Sequence, residues 1–175
     1  MRAYFETERL IVRNLVSQDY EQVFKWCGDS RVNEFMIYPL YKCAEDVKIW
    51  IDTLEVDNPN IYDFGWILKD TGELIGGGGV VFHPDRDVWN IGYNLLADKW
   101  GNGYTVEAIQ GIIEYIKKTR DIHVIEGQFA VENHNSMRVM EKLGMVYDRD
   151  GEYEKLDGSR KFASKRYIVR KFKMQ

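Results

Sequence analysis

The sequence predicts an α/β (α+β) fold in one domain over residues 1–175: a central twisted mixed sheet of seven strands flanked by helices, in the order βααβββαβαββ. Three observations predict it. Apolar residues recur at i, i+3, i+4 and i+7 in two stretches that follow the first β-rich run. Three further β-rich runs, separated only by turn signals, then read as an antiparallel meander. Finally, a glycine-rich turn opens an amphipathic helix that leads into another strand, an arrangement that sets two strands parallel. At 175 residues and 45% hydrophobic content the chain is long enough to bury one core and short for two.

The first strand is "RLIVRNL" at residues 9–15. In "QDYEQVFKWCGD" the residues Tyr20, Val23, Phe24 and Cys27 share one helical face, with Ser17 or Asp19 as candidate caps. Val47, Trp50, Ile51 and Leu54 repeat the spacing, and Asn58-Pro59-Asn60 ends that helix. The meander is "YDFGWILK", "ELIGGGGVVF" and "VWNIGYNLL", divided by Asp70-Thr71-Gly72 and His83-Pro84-Asp85. Four consecutive glycines at 76–79 imply a bulge or a close approach to the strand's backbone. Val106, Ile109, Ile112, Ile113 and Ile116 form the stripe of a helix over 104–118. "IHVIEGQFAV" follows as a strand. Met137, Met140 and Leu143 then line one side of a short helix, with Gly144 at its C′ position. Runs near 146–155 and 162–172 read as a closing hairpin.

Composition excludes several classes. The net charge of −4 is uneven: residues 152–175 hold eight Lys/Arg against three Asp/Glu, which leaves −9 for residues 1–151. An acidic body disfavours nucleic acid and suits a cationic substrate such as an amine. The basic tail reads as an edge strand guarded by Lys and Arg. Cys27 and Cys43 form no CxxC, and His83, His123 and His134 show no metal-site spacing, so reduced thiols and no metal are expected. No apolar run approaches the roughly 18 residues of a membrane span, and the N-terminus does not read as a signal peptide. The expectation is a cytoplasmic protein without membrane or nucleic-acid partners, with a homodimer among the assemblies allowed.

"KWGNGYTVEA" at 99–108 is the chemically informative stretch. A helix opening near Tyr104 presents the free N–H groups of its first turn and the positive end of its dipole to the loop before it. Gly101 and Gly103 remove side chains that would keep a phosphate from those groups, and Asn102 and Thr105 add donors. The loop lacks the GxxxxGK[ST] of a P-loop, and "GNGYTV" lacks the third glycine of a dinucleotide fingerprint.

"WGNGYTVEA" resembles the acyl-CoA pyrophosphate loop of the GNAT N-acetyltransferase superfamily, written Q/R-x-x-G-x-G/A, and in particular the WGKGYATEA version of the ribosomal-protein N-terminal acetyltransferase branch. "TERLIVRNL" at 7–15, "IGYNLLADKWGNGYTVEA" at 91–108 and "ENHNSMRVMEKLGM" at 132–145 resemble three motifs of that branch in the same order. The resemblance implies a GNAT-like fold whose sheet splays between its fourth and fifth strands, where acetyl-CoA enters as co-substrate. It implies that main-chain groups of Tyr93, Asn94 and Leu95 hold the pantetheine arm. Trp100, Gly101, Asn102, Gly103, Tyr104 and Thr105 would cradle the pyrophosphate, and Asn133 and Ser136 would contact the cofactor arm. Trp100 stands where the superfamily has Gln or Arg, and Thr105 where it has Gly or Ala. Met140 stands where many members have a tyrosine proposed as general acid, and methionine donates no such proton.

Acetyl transfer to an amine needs a neutral nitrogen, a polarised thioester carbonyl and a proton for the departing thiolate. Ser136, near a helix start, is expected to hydrogen-bond the sulfur, although a serine there also serves as an N-cap. Glu154 resembles in position an acidic residue proposed as base in the branch. His83 and His134 show no partner in the sequence. Trp26, Trp50, Trp66 and Trp89 are read as core or as walls of the substrate groove, and Glu34 as a specificity candidate. The expected function is acetyl-CoA-dependent N-acetyl transfer to a protein N-terminal α-amine or a small-molecule amine. Met140 keeps open an alternative, a non-catalytic acyl-CoA-binding module.

Overall fold

A computed structural model describes residues 4–172. In chain order the elements are β1 (Tyr4–Glu6), β2 (Leu10–Arg13), α1 (Tyr20–Cys27), α2 (Ser30–Asn33), α3 (Ala44–Asp52), β3 (Ile61–Leu68), β4 (Leu74–His83), β5 (Val88–Leu95), α4 (Tyr104–Lys117), β6 (Ile122–Ala130), α5 (His134–Lys142), β7 (Val146–Glu154) and β8 (Lys161–Phe172), with short 3-10 turns at Ser17–Asp19 and Ala97–Lys99. One eight-stranded sheet runs β1-β2-β3-β4-β5-β6-β8-β7. The expected seven strands are present, and β1 is added by pairing Phe5 with Val12 ahead of the first expected strand. The short α2 is also additional. It starts at Asp29, whose side chain accepts the Arg31 amide.

The sheet is covered on both faces. On one, Ile109, Ile112 and Ile116 of α4 pack, fully buried, with Leu10, Val12, Trp66 and Trp89. On the other, α1 and α3 bring Val23, Trp26, Val47 and Ile51 over Leu15 and Leu74. The spacings that predicted these helices are thus the spacings of their buried faces. Neither Ser17 nor Asp19 caps α1 with its side chain; Asp19 instead accepts from the Val16 amide and pairs with Arg13 at 2.8 Å.

β2 to β5 form the antiparallel meander. Gly78 shows why the glycine run is needed: at φ +144° its backbone lies so close to the Gly92 carbonyl that a Cβ would collide with it. β5 and β6 are parallel but pair only at Trp89 with Ile125 and Asn90 with Glu126. Beyond Asn90, β5 stays with β4 while β6 follows β8, so the sheet splays between the fourth and fifth strands of the expected order.

The C-terminal hairpin differs from expectation. β8 is an interior strand, paired with both β6 and β7, and β7 forms the edge. β8 buries Phe162, Ser164 and Tyr167, whereas β7 is exposed at nearly every position, so the strand with more to bury takes the inner place. No helix among the described residues is long and apolar enough to cross a membrane.

Candidate active site

The loop between β5 and α4 has a backbone geometry that favours an anion. Gly103 caps α4 in the left-handed region, at φ +79°, with no side chain satisfying the first-turn N–H groups. A non-glycine residue would be strained there, and the open N–H groups and dipole face whatever the loop holds. Trp100 Nε1 donates to the Leu95 carbonyl at 3.0 Å, and Asn102 Nδ2 donates to the Lys99 and Trp100 carbonyls, so the loop is tied to the strand before it. Thr105 is buried in the first turn of α4, where a β-branched side chain is accommodated.

A second tie comes from the far end of the chain. Arg9 donates to the Asn102 carbonyl at 3.0 Å, lies over the Tyr104 ring at 4.4 Å and pairs with Glu107 at 2.6 Å. The Arg9 amide and the Thr7 hydroxyl donate to the same Glu107 carboxylate. Desolvation pushes the Glu107 carboxyl up, but the hydrogen bonds from Thr7 and Arg9 outweigh it and hold the group below its ordinary range. "TERL" and "YTVEA" are therefore one physical unit, and Arg9 adds a cation beside the anion site.

At the splay, α5 approaches β5. Asn133 is the N-cap of α5, its side chain accepting the Ser136 amide at 3.2 Å. Ser136 is therefore not the cap. Its Oγ accepts from the Tyr93 hydroxyl at 3.1 Å, leaving its own proton free to be donated. Desolvation lifts the Tyr93 phenol to about 12, so it stays a donor at neutral pH. Met140 is buried against Ile91 and fills the space that a side chain at Gly127 would take, which makes it a packing residue of the splay.

A cavity of about 680 Å³ opens on the α1–α3 side of β4 and β5, and Tyr93 and Asn94 belong to its wall. The Tyr38 hydroxyl donates to the Asn94 side chain. Among the described residues that line it, the one charged side chain is Asp63, near the start of β3. Desolvation raises its carboxyl to about 6, against a smaller lowering effect from the Phe64 amide. That value suits a general base at neutral pH. Glu154 is not in this cavity. Its neighbour Tyr153 lines the wall, and alternation along β7 turns Glu154 to the other face, where it is exposed. Of the tryptophans, Trp66 and Trp89 are core, while Trp26 and Trp50 also line the cavity.

Residues 9–146 match the family model described as an acetyltransferase (GNAT) domain. The chain belongs to the GNAT acetyltransferase family. It is 31% identical over 154 residues to the uncharacterized N-acetyltransferase YnaD of Bacillus subtilis, covering 87% of this chain and 86% of that one. Among solved structures, the ribosomal-protein-S5-alanine acetyltransferase of Vibrio fischeri shares the fold with a TM-score of 0.75 and 20% identity, covering 99% of each chain. The microcin C7 self-immunity acetyltransferase, solved with acetyl-CoA and AMP, has a TM-score of 0.74 at 20% identity, covering 94% of this chain and 93% of that one. The chain is thus a GNAT N-acetyltransferase, a family that transfers acetyl groups.

Three site features escaped sequence reasoning: Arg9 with Glu107, Tyr38, and Asp63. Arg9 and Glu107 lie in two of the quoted motifs, though nothing there pairs them, and Asp63 is an acid near the start of a β-rich run, where aspartate is disfavoured.

Proposed function

We propose that the protein transfers the acetyl group of acetyl-CoA directly to a primary amine, with Asp63 as general base and Ser136 as proton donor to the leaving thiolate. The observation that carries the reading is the placement of Asp63 and Tyr93 in one cavity wall, with Ser136 hydrogen-bonded behind Tyr93 at the splay. The loop from Trp100 to Thr105 and the α4 N-terminus would hold the pyrophosphate. Main-chain groups of Tyr93, Asn94 and Leu95, on the β5 edge that β6 leaves, would hold the pantetheine arm alongside Asn133.

The bound donor supplies a thioester carbonyl, the electrophile of the reaction. Asp63 takes one proton from the incoming ammonium, directly or through a water, and frees the nitrogen lone pair. As the C–N bond forms and the C–S bond breaks, the nitrogen passes its second proton to solvent water and the thiolate gains one from Ser136, whose proton is replaced through Tyr93 and solvent. The balance is one amide, one free thiol and one proton released. Met140 contributes no proton, and the Ser136 hydroxyl takes the place a tyrosine fills in other members. This favours the enzyme over a binding-only module.

The test is the pH profile of kcat/KM with an amine acceptor. A base must be ionised to act, so the rate rises with pH through about 6 and then levels. Asp63→Asn should remove that limb and lower kcat by about 10²–10⁴. An unchanged profile in Asp63→Asn would reject the assignment.

A further inference from the structure

The wall of the acceptor cavity is aromatic and carries one charge. Trp26, Phe35, Tyr41, Trp50 and Tyr153 contribute rings, and no Lys or Arg is among the described residues that line it. The tyrosine hydroxyls are largely committed elsewhere: Tyr38 donates to Asn94, Tyr93 to Ser136, and Tyr153 to the Phe35 carbonyl at 2.6 Å. Those side chains therefore turn ring surface toward the cavity rather than free hydrogen-bonding groups. A carboxylate or phosphate bound here would lose its hydration without a cationic partner, which is costly. An ammonium would meet Asp63 and ring faces, both favourable.

The cavity is also roofed. Lys155 Nζ donates to the Asn33 carbonyl, the Asn33 side chain and the Met36 carbonyl at 2.9, 3.1 and 2.7 Å. The Leu156 amide donates to the Ile37 carbonyl at 2.7 Å, and Tyr153 adds its bond to Phe35. These contacts join the α2–α3 segment to the β7–β8 turn across the acceptor side. A polypeptide laid through the site would have to break them, whereas a small molecule fits beneath. About 680 Å³ is within the usual range for a small-molecule site.

Resting on the acetyl-transfer reading above, we infer that the acceptor is a small primary amine with an aromatic or bulky apolar body and no anionic group. The ammonium sits at Asp63 and the body lies among the rings. A second ammonium, as in a polyamine, finds no second carboxylate in the wall.

The test measures thiol release from acetyl-CoA with four acceptors: 2-phenylethylamine, L-phenylalanine, spermidine and a tetrapeptide with a free N-terminal alanine. The first two differ only by a carboxylate. The expected result is a kcat/KM for 2-phenylethylamine at least a hundredfold above each of the others. Leu156→Arg places a guanidinium at the cavity mouth, at a position 75% exposed, and should raise the L-phenylalanine value about tenfold relative to 2-phenylethylamine. Equal or better turnover of L-phenylalanine, spermidine or the peptide overturns the inference and leaves acetyl transfer standing. No turnover with any of the four, in protein that binds acetyl-CoA by calorimetry, overturns this inference, while failure of the acetyl-transfer reading itself would show as no acetyl-CoA binding at all.

Discussion

The guanidinium of Arg9 and the carboxylate of Glu107 meet at 2.6 Å across 98 residues of sequence, and the same guanidinium holds the Asn102 carbonyl of the glycine loop. The loop's shape is thus set by the turn between β1 and β2 as well as by its own glycines. Fixing the loop before the ligand arrives lowers the ordering cost of binding.

Glu107→Gln should therefore weaken acetyl-CoA binding several-fold as well as destabilise the fold, because three donors lose a charged acceptor. Hydrogen bonds to a charged group contribute about 1.5–3 kcal/mol in typical cases, and a urea midpoint reads the loss. The wild-type carboxyl lies below its ordinary range, so its contribution is present above the unfolded value of about 4.3 and fades as pH falls through the folded value. A Glu107→Gln variant with wild-type affinity would show that the loop needs no outside support.

Gly103 separates backbone strain from charge. At φ +79°, alanine pays a conformational penalty of about 1–2 kcal/mol, yet its Cβ would find no atom nearer than Arg9 Nη2 at 3.6 Å. Gly103→Ala should lose some stability and keep measurable acetyl-CoA affinity by calorimetry. Gly103→Glu should abolish binding, since it sets a carboxylate where the helix start would meet pyrophosphate. Equal affinities in the two variants would place the phosphates elsewhere.

The Tyr93 hydroxyl donates to Ser136 Oγ at 3.1 Å, and in the proposed mechanism the pair relays one proton, so their substitutions should not be additive. Ser136→Ala should lower kcat by about 10²-fold, at the lower end for a lost general acid. Tyr93→Phe should lower it less, because the serine proton remains. The double variant should resemble Ser136→Ala alone. Wild-type kcat in Ser136→Ala with acetyl-CoA binding intact would remove the serine from the reaction.

Helix faces and the glycine turn that opens α4 were legible because each is a local property. The stripe from Val106 to Ile116 reports its own burial, and Gly103 reports a backbone conformation of its own residue. Asn133 likewise caps α5 within three residues. The place of Asp63 in the cavity wall was not legible, since it depends on residues from α1, the α2–α3 segment, β5 and β7 closing around it. Glu154 lies outside the cavity for the matching reason: its neighbour on the strand faces the cavity, and one position of alternation carries a side chain to the opposite face. The inner place of β8 depended on comparing how much each hairpin strand could bury, which basic composition alone does not reveal.

Glu126 carries the last prediction. It sits at the final paired position of β5 and β6, with its side chain 3% exposed, and pairs with Arg86, Arg149 and Arg166 at 3.1, 2.8 and 2.6 Å. The three arginines come from the β4–β5 turn, β7 and β8, so one carboxylate joins both halves of the splayed sheet. Desolvation pushes its carboxyl up, but Arg166, Arg149 and Arg86 outweigh that and hold it below the ordinary range. Glu126→Gln leaves three guanidiniums converging on a neutral amide. Breaking a buried pair costs about 3–5 kcal/mol when the remaining charge is trapped. Here the arginines keep 27–50% exposure and can turn toward water, so a loss near the lower end, about 3 kcal/mol at pH 7, is expected. Because the folded carboxyl is depressed, its contribution is complete above about pH 4.3 and disappears as pH falls through the folded value. The gap between wild type and Glu126→Gln in urea midpoint should accordingly narrow in acid. A gap that stays constant with pH would mean that Glu126 acts through packing, and that its charge does not hold the sheet together at the splay.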